Sequence, residues 1–186
     1  MSLLAAVLVG LLLVASCLAI ALPDGRRPGR AASFACGAVL AALAFTVIVS
    51  GGVTTSDSLL GRLLVVELFL ASVLGGSPVT ATVLWLADRG SSRPHAMDRA
   101  GEVLRGGAWI GAFERAAVLA TLASGWPEGL AVVLALKGLG RYSELRGAPG
   151  DSAAASGGVA ERFIIGTFAS VLWACGCAGA YLGLAS

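Results

Sequence analysis

Six apolar runs divide this chain, at about 2–22, 31–50, 63–87, 107–125, 127–143 and 160–184, and only short polar connectors separate most of them. A helix needs about 20 apolar residues to cross the roughly 30 Å hydrocarbon core of a bilayer, and these runs meet or approach that length. Inside lipid no water satisfies backbone N–H and C=O groups, so a crossing segment must satisfy them itself, as a helix does. Composition agrees: 57% of residues are hydrophobic and 13% charged, with a mean hydropathy of +0.87, outside the range of ordinary soluble domains. The expected fold is all-α, a single polytopic membrane helical bundle of about six transmembrane helices over residues 1–186.

The connectors set the orientation. PDGRRPGR after the first run holds Arg26, Arg27 and Arg30, and the stretch after the third holds Arg89, Arg93, Arg99 and Arg105. GGVTTSDSLLG and SGWPEG hold no basic residue apart from Arg62, at the start of the third run. Arginine and lysine accumulate on the cytoplasmic side, which predicts a multi-pass protein of the cell (inner) membrane with both termini outside. Trp85, Trp109 and Tyr142 then fall at the inner interface, and Trp126 and Tyr181 at the outer one, as interfacial aromatics do. The first run lacks a basic leader and stays apolar through LAIAL to Pro23, so it reads as a retained helix instead of a cleaved signal. Residues 146–158, RGAPGDSAAASGG, read as a flexible cytoplasmic loop.

Several function classes are disfavoured. A formal net charge of +2 with no basic stretch interleaved with aromatics does not suit a nucleic-acid partner. Cys17, Cys36, Cys175 and Cys177 show neither zinc spacing nor a disulfide framework, and His95 has no ligand partners nearby in sequence. No metal and no cofactor is expected. No paired-aspartate motif, histidine cluster or nucleophile elbow appears, which leaves catalysis behind binding and structural roles.

The chemistry concentrates in charges within the last three runs. WIGAFERAAVLATLASG, 109–125, contains Glu114 and Arg115; the next run contains Lys137 and Arg141; the last begins with Glu161 and Arg162. In SGWPEG, Gly125 can end one helix, Pro127 can enter the first turn of the next, and Glu128 meets its positive end. Counted from that turn, Glu114, Arg115 and Lys137 each lie about 15 Å deep at 1.5 Å per residue. An unpaired charge at that depth costs about 2.5–3.5 kcal/mol on the insertion scale. This predicts the pairs Glu114–Lys137 and Glu161–Arg141. Two glutamates face four cations, Arg115, Lys137, Arg141 and Arg162, and the excess positive charge would attract an anion such as a lipid phosphate. Lys137 is also the only lysine among thirteen basic residues, and an ammonium can act as a point charge or release a proton where a guanidinium cannot.

Glycines at small-residue spacings, Gly107 to Gly111, Gly176 to Ala180 and Gly179 to Gly183, permit close helix contact, within the bundle or with a second copy or another membrane protein. GGSP at 75–78 predicts a bend in the third helix, because Pro78 removes a backbone donor.

Three ordered stretches, IGAFER at 110–115, ALKGLGRY at 135–142 and AERFIIGTFAS at 160–170, resemble I-G-x-L-E-R, A-x-K-x-x-x-R and E-Y-x-x-I-G-T-x-x-S. These motifs belong to the C-terminal membrane portion of an uncharacterised bacterial integral membrane protein family. The resemblance implies that Gly111, Glu114, Arg115, Lys137, Arg141, Glu161, Gly166, Thr167 and Ser170 are signature residues, Gly166 among them as a packing position. It implies no activity. Phe113 and Arg162 depart from the pattern, and the acidic, histidine-containing N-terminal segment of many members has no counterpart here. Two readings stand: a protein that binds or carries an anionic lipid headgroup or small anion at Glu114, Arg115, Lys137, Arg141, Glu161, Arg162, Thr167 and Ser170, or a structural subunit whose ion pairs only hold the bundle.

Overall fold

The computed structural model describes residues 2–21, 27–50, 59–88, 107–140, 142 and 153–185. Within them are six main helices and no strand: α1 Ser2–Ala21, α2 Arg27–Ser50, α3 Leu59–Asp88, α4 Gly107–Ala123, α5 Gly129–Gly140 and α6 Ala153–Ala185. The all-α class is as expected. Two helices, over Val65–Ala87 and Ala160–Leu184, are long and apolar enough to cross a membrane, and Ala6–Ala19, Ala31–Leu43 and Gly129–Gly140 are shorter apolar stretches. α6 starts at Ala153, inside the loop expected at 146–158, because the strong helix former alanine occupies 153–155.

α3 and α6 form the spine. α3 also packs against α1, α2 and α4, and α6 against α2 and α4. Their partners show that they run antiparallel: Trp173 Nε1 donates to the carbonyls of Ala71 and Ser72, while Gly166, earlier on α6, faces Thr80, later on α3. The core joins Val9, Leu12 and Ala19 of α1, Ala32, Cys36 and Leu43 of α2, Leu68 and Ala71 of α3, Leu119 of α4, and Trp173, Cys177 and Ala178 of α6. Much of it is small, so backbones approach closely. Large apolar side chains point outward instead: Phe113 is 69% exposed and Leu172 67%.

Local rules position the α4–α5 hairpin. Gly125 has φ of +74°, its N–H donates to Leu122 O, and Trp126 N–H donates to Thr121 O. This pair of bonds is the Schellman cap, which satisfies carbonyls left free at a helix end and favours glycine at the left-handed residue. Gly129 then lets α5 lie against α4, since a Cβ there would stand 2.5 Å from Thr121 Cγ2. Gly129 is the buried residue of α5, which packs on α4 at the edge of the bundle.

Candidate functional site

The expected cluster resolves into two separate arrangements. In the first, Lys137 Nζ donates to Glu114 Oε2, joining α5 to α4. Both side chains are mostly buried, and the ammonium stands 5.9 Å from the centre of the Phe163 ring on α6. The hairpin places this pair: Gly125 sets the turn, and the two residues lie at matching distances along the helices that leave it.

The second arrangement centres on Arg115, only 3% exposed. Its Nε and Nη2 donate to the carbonyl of Val73 at 3.0 and 2.7 Å, Nη2 also to Ser77 Oγ at 2.9 Å, and Nη1 to Ser170 Oγ at 3.2 Å. One guanidinium therefore ties α4 to both α3 and α6, using four of its five N–H groups. Gly76 makes the approach feasible, because a Cβ at that position would fall 2.2 Å from Arg115 Cδ. Pro78 cannot donate to the carbonyl four residues back, and the arginine docks in that same disturbed turn. Pro78's own carbonyl accepts bonds from Ser33 Oγ at 3.2 Å and Thr82 Oγ1 at 2.9 Å. The GGSP stretch is thus a junction where α2, α4 and α6 meet α3, while α3 runs on as helix through Pro78. All acceptors of Arg115 are formally neutral. Among the described residues, no carboxylate bridges it, and Glu114 is engaged with Lys137.

The remaining expected site residues are dispersed. Arg141, and with it the Glu161–Arg141 pair, lies outside the described residues. Glu161 is exposed and Arg162 half-buried at the start of the apolar part of α6. Ser170 is buried against Arg115. Thr167, one turn earlier, has its hydroxyl buried with no partner, as does Thr80 on α3. Of the packing glycines, a Cβ at Gly176 would stand 3.0 Å from Leu40 Cδ2 and one at Gly166 3.7 Å from Leu84 and Thr80, but no atom of another helix lies within 4 Å of a Cβ at Gly111 or Gly179. Gly179 is exposed, turned away from the bundle, so it does not serve internal packing. Gly107 opens α4, with its surroundings outside the described residues. Sequence reasoning missed Val73, Ser77 and Thr80: a backbone carbonyl leaves no trace in composition, and isolated hydroxyls in an apolar helix resemble ordinary small residues. Pro78 frees the carbonyl of Leu74, the residue after Val73, so the sequence marked the turn but not the acceptor that Arg115 uses.

The described residues contain no group of three or more His, Cys, Asp or Glu able to hold a metal. A shallow groove of about 500 Å³ between α3 and α6, lined by Val79, Val83, Ile165, Phe168 and Leu172, is apolar and receives none of the charged residues. Comparison with protein-family models, curated proteins and solved structures finds no match for this chain. The family resemblance rests on its three motifs alone.

Proposed function

We propose that this chain is a multi-pass membrane protein whose six helices cross the cell membrane with both termini outside, and that it binds an anion in the interior of the bundle next to Arg115. The membrane reading is supported by the composition, by two helices of crossing length, and by large apolar side chains turned outward around a small-residue core. The anion reading is carried by one observation: Arg115 is almost completely buried and rests on neutral acceptors, while the neighbouring carboxylate belongs to Lys137. A buried charge without its counter-charge is costly, and an anion offsets that cost. The ligand chemistry is a small oxyanion or halide, or the phosphate of a lipid headgroup.

A structural reading also has an observation in its favour. Four of the five N–H groups of Arg115 are already satisfied by the protein, so the residue could act purely as a cross-link among α3, α4 and α6. The thermal transition of purified protein separates the two readings at constant ionic strength in sodium gluconate, chloride or phosphate, and with added phosphatidylglycerol. Binding predicts a saturable rise with at least one anion over gluconate, since a ligand that prefers the folded state stabilises by about 2.7 kcal/mol at a hundred times its dissociation constant. Transitions identical in all four conditions would refute binding and leave the cross-link.

A further inference from the structure

One turn from Arg115 the three central helices present a second polar level. Ser77 and Thr80 lie three residues apart on α3, and Thr167 and Ser170 three apart on α6, so each pair steps about 4.5 Å along its helix. The antiparallel packing aligns the steps: Ser77 and Ser170 share Arg115, and Thr80 faces Gly166, the neighbour of Thr167. The hydroxyls of Thr80 and Thr167 are both buried and both lack a hydrogen-bond partner. Buried hydroxyls are normally satisfied, and a threonine in a helix usually has its own carbonyl four residues back to donate to, as Thr82 does with Pro78. Two unsatisfied hydroxyls on apposed turns therefore require an explanation.

α4 supplies charge at the same level, and no side chain at Gly111 stands between that charge and α6. Gly111 precedes Arg115 by one turn, and in the six-span reading α4 runs parallel to α6, which puts Gly111 on the Thr167 side of Ser170. Without a side chain there, the nearest atom to a Cβ would be Arg115 Nη1 at 3.1 Å, and no other helix intrudes. Nη1 carries two hydrogens and gives one to Ser170. We infer that Thr80, Thr167 and the remaining Nη1 hydrogen of Arg115, at a level where Gly111 and Gly166 carry no side chain, form a site for a small dehydrated monovalent anion of the halide class. The donor set suits such an ion: two neutral hydroxyls and one cationic N–H match a single negative charge, and no carboxylate is among them. Enclosure excludes a lipid headgroup, because the Arg115 side chain and both hydroxyls have almost no exposed surface. This inference rests on the anion reading above and narrows it.

The test uses purified full-length protein and sodium chloride as the probe against sodium gluconate at constant ionic strength, read as the shift of the thermal transition and as chloride-35 NMR line broadening. Wild type should show saturable chloride stabilisation and broadening. Thr80→Val and Thr167→Val, which keep the side-chain shape and remove the donors, should each fold and weaken the chloride response at least tenfold. Thr46→Val, whose hydroxyl donates to its own helix at Ala42 O, should leave it unchanged. An undiminished chloride response in both valine variants would overturn the site. So would stabilisation by phosphate or phosphatidylglycerol without chloride, which would leave the broader anion reading standing. No response to any of these anions would overturn both. More stable valine variants of a chloride-insensitive protein would show that the two hydroxyls are simply left unsatisfied, and would also refute the proposal.

Discussion

Lys137 and Arg115 divide the work that sequence alone assigned to one cluster. The single lysine of the chain is held by Glu114, which leaves it no net charge to offer a ligand, whereas Arg115 donates only to neutral acceptors in the interior. The ammonium and carboxylate form a tie between α5 and α4, and removing one partner leaves the other charge stranded. Lys137→Met should therefore destabilise the protein by about 2 kcal/mol, less than the roughly 3–5 kcal/mol of a fully buried pair because both ends retain some exposure. The double variant Glu114→Gln with Lys137→Met should recover most of that loss. The measurement is the thermal transition and yield of folded protein for wild type, both single variants and the double. Equal damage in Lys137→Met and the double variant would show that the lysine serves something besides this pair.

At the scale of elements, α3 is the helix whose disruption matters most, since Gly75, Gly76 and Pro78 let Ser16, Trp173, Arg115 and Ser33 approach its backbone. Gly76→Ala should cost about 1–3 kcal/mol as an overpacked core position, because its methyl group would occupy the place of the Arg115 side chain. Gly179→Ala meets open space and should be neutral or up to about 1 kcal/mol more stable through helix propensity. Thermal denaturation of the two variants checks the contrast, and equal effects would mean that Gly76 does not seat the arginine. This contrast also shows what sequence could convey. The hairpin was legible because Gly125 obeys the C-cap rule, although Pro127 and Glu128 stand in the turn just before α5 and not in its first turn, and the Glu114–Lys137 pair followed by counting from that turn. The docking of Arg115 was not legible, since its principal acceptor is the carbonyl of Val73, and the role of Gly76 depends on a neighbour 39 positions away. At Gly179 spacing revealed a small residue without revealing that the exposed face of α6 carries it. Ala153–Ala155 misled because the connector's glycines and serines outweighed a helix-forming alanine run.

For the whole molecule, the medium around Arg115 is set by where the bundle sits. In a six-span protein with its arginine-rich connectors inside, the α4–α5 turn lies outside the cell and the segment after α3 lies in the cytoplasm, so Arg115 is within the hydrocarbon and its bonds to α3 and α6 form where water cannot replace them. The deciding measurement is labelling with a membrane-impermeant thiol reagent in intact and permeabilised cells. The background carries Cys17, Cys36, Cys175 and Cys177 replaced by alanine, with one new cysteine at either Ser124 or Ser91. The account predicts that Ser124→Cys is labelled in intact cells and Ser91→Cys only after permeabilisation. Labelling of Ser91→Cys from outside, or equal labelling of both positions in intact cells, would contradict it.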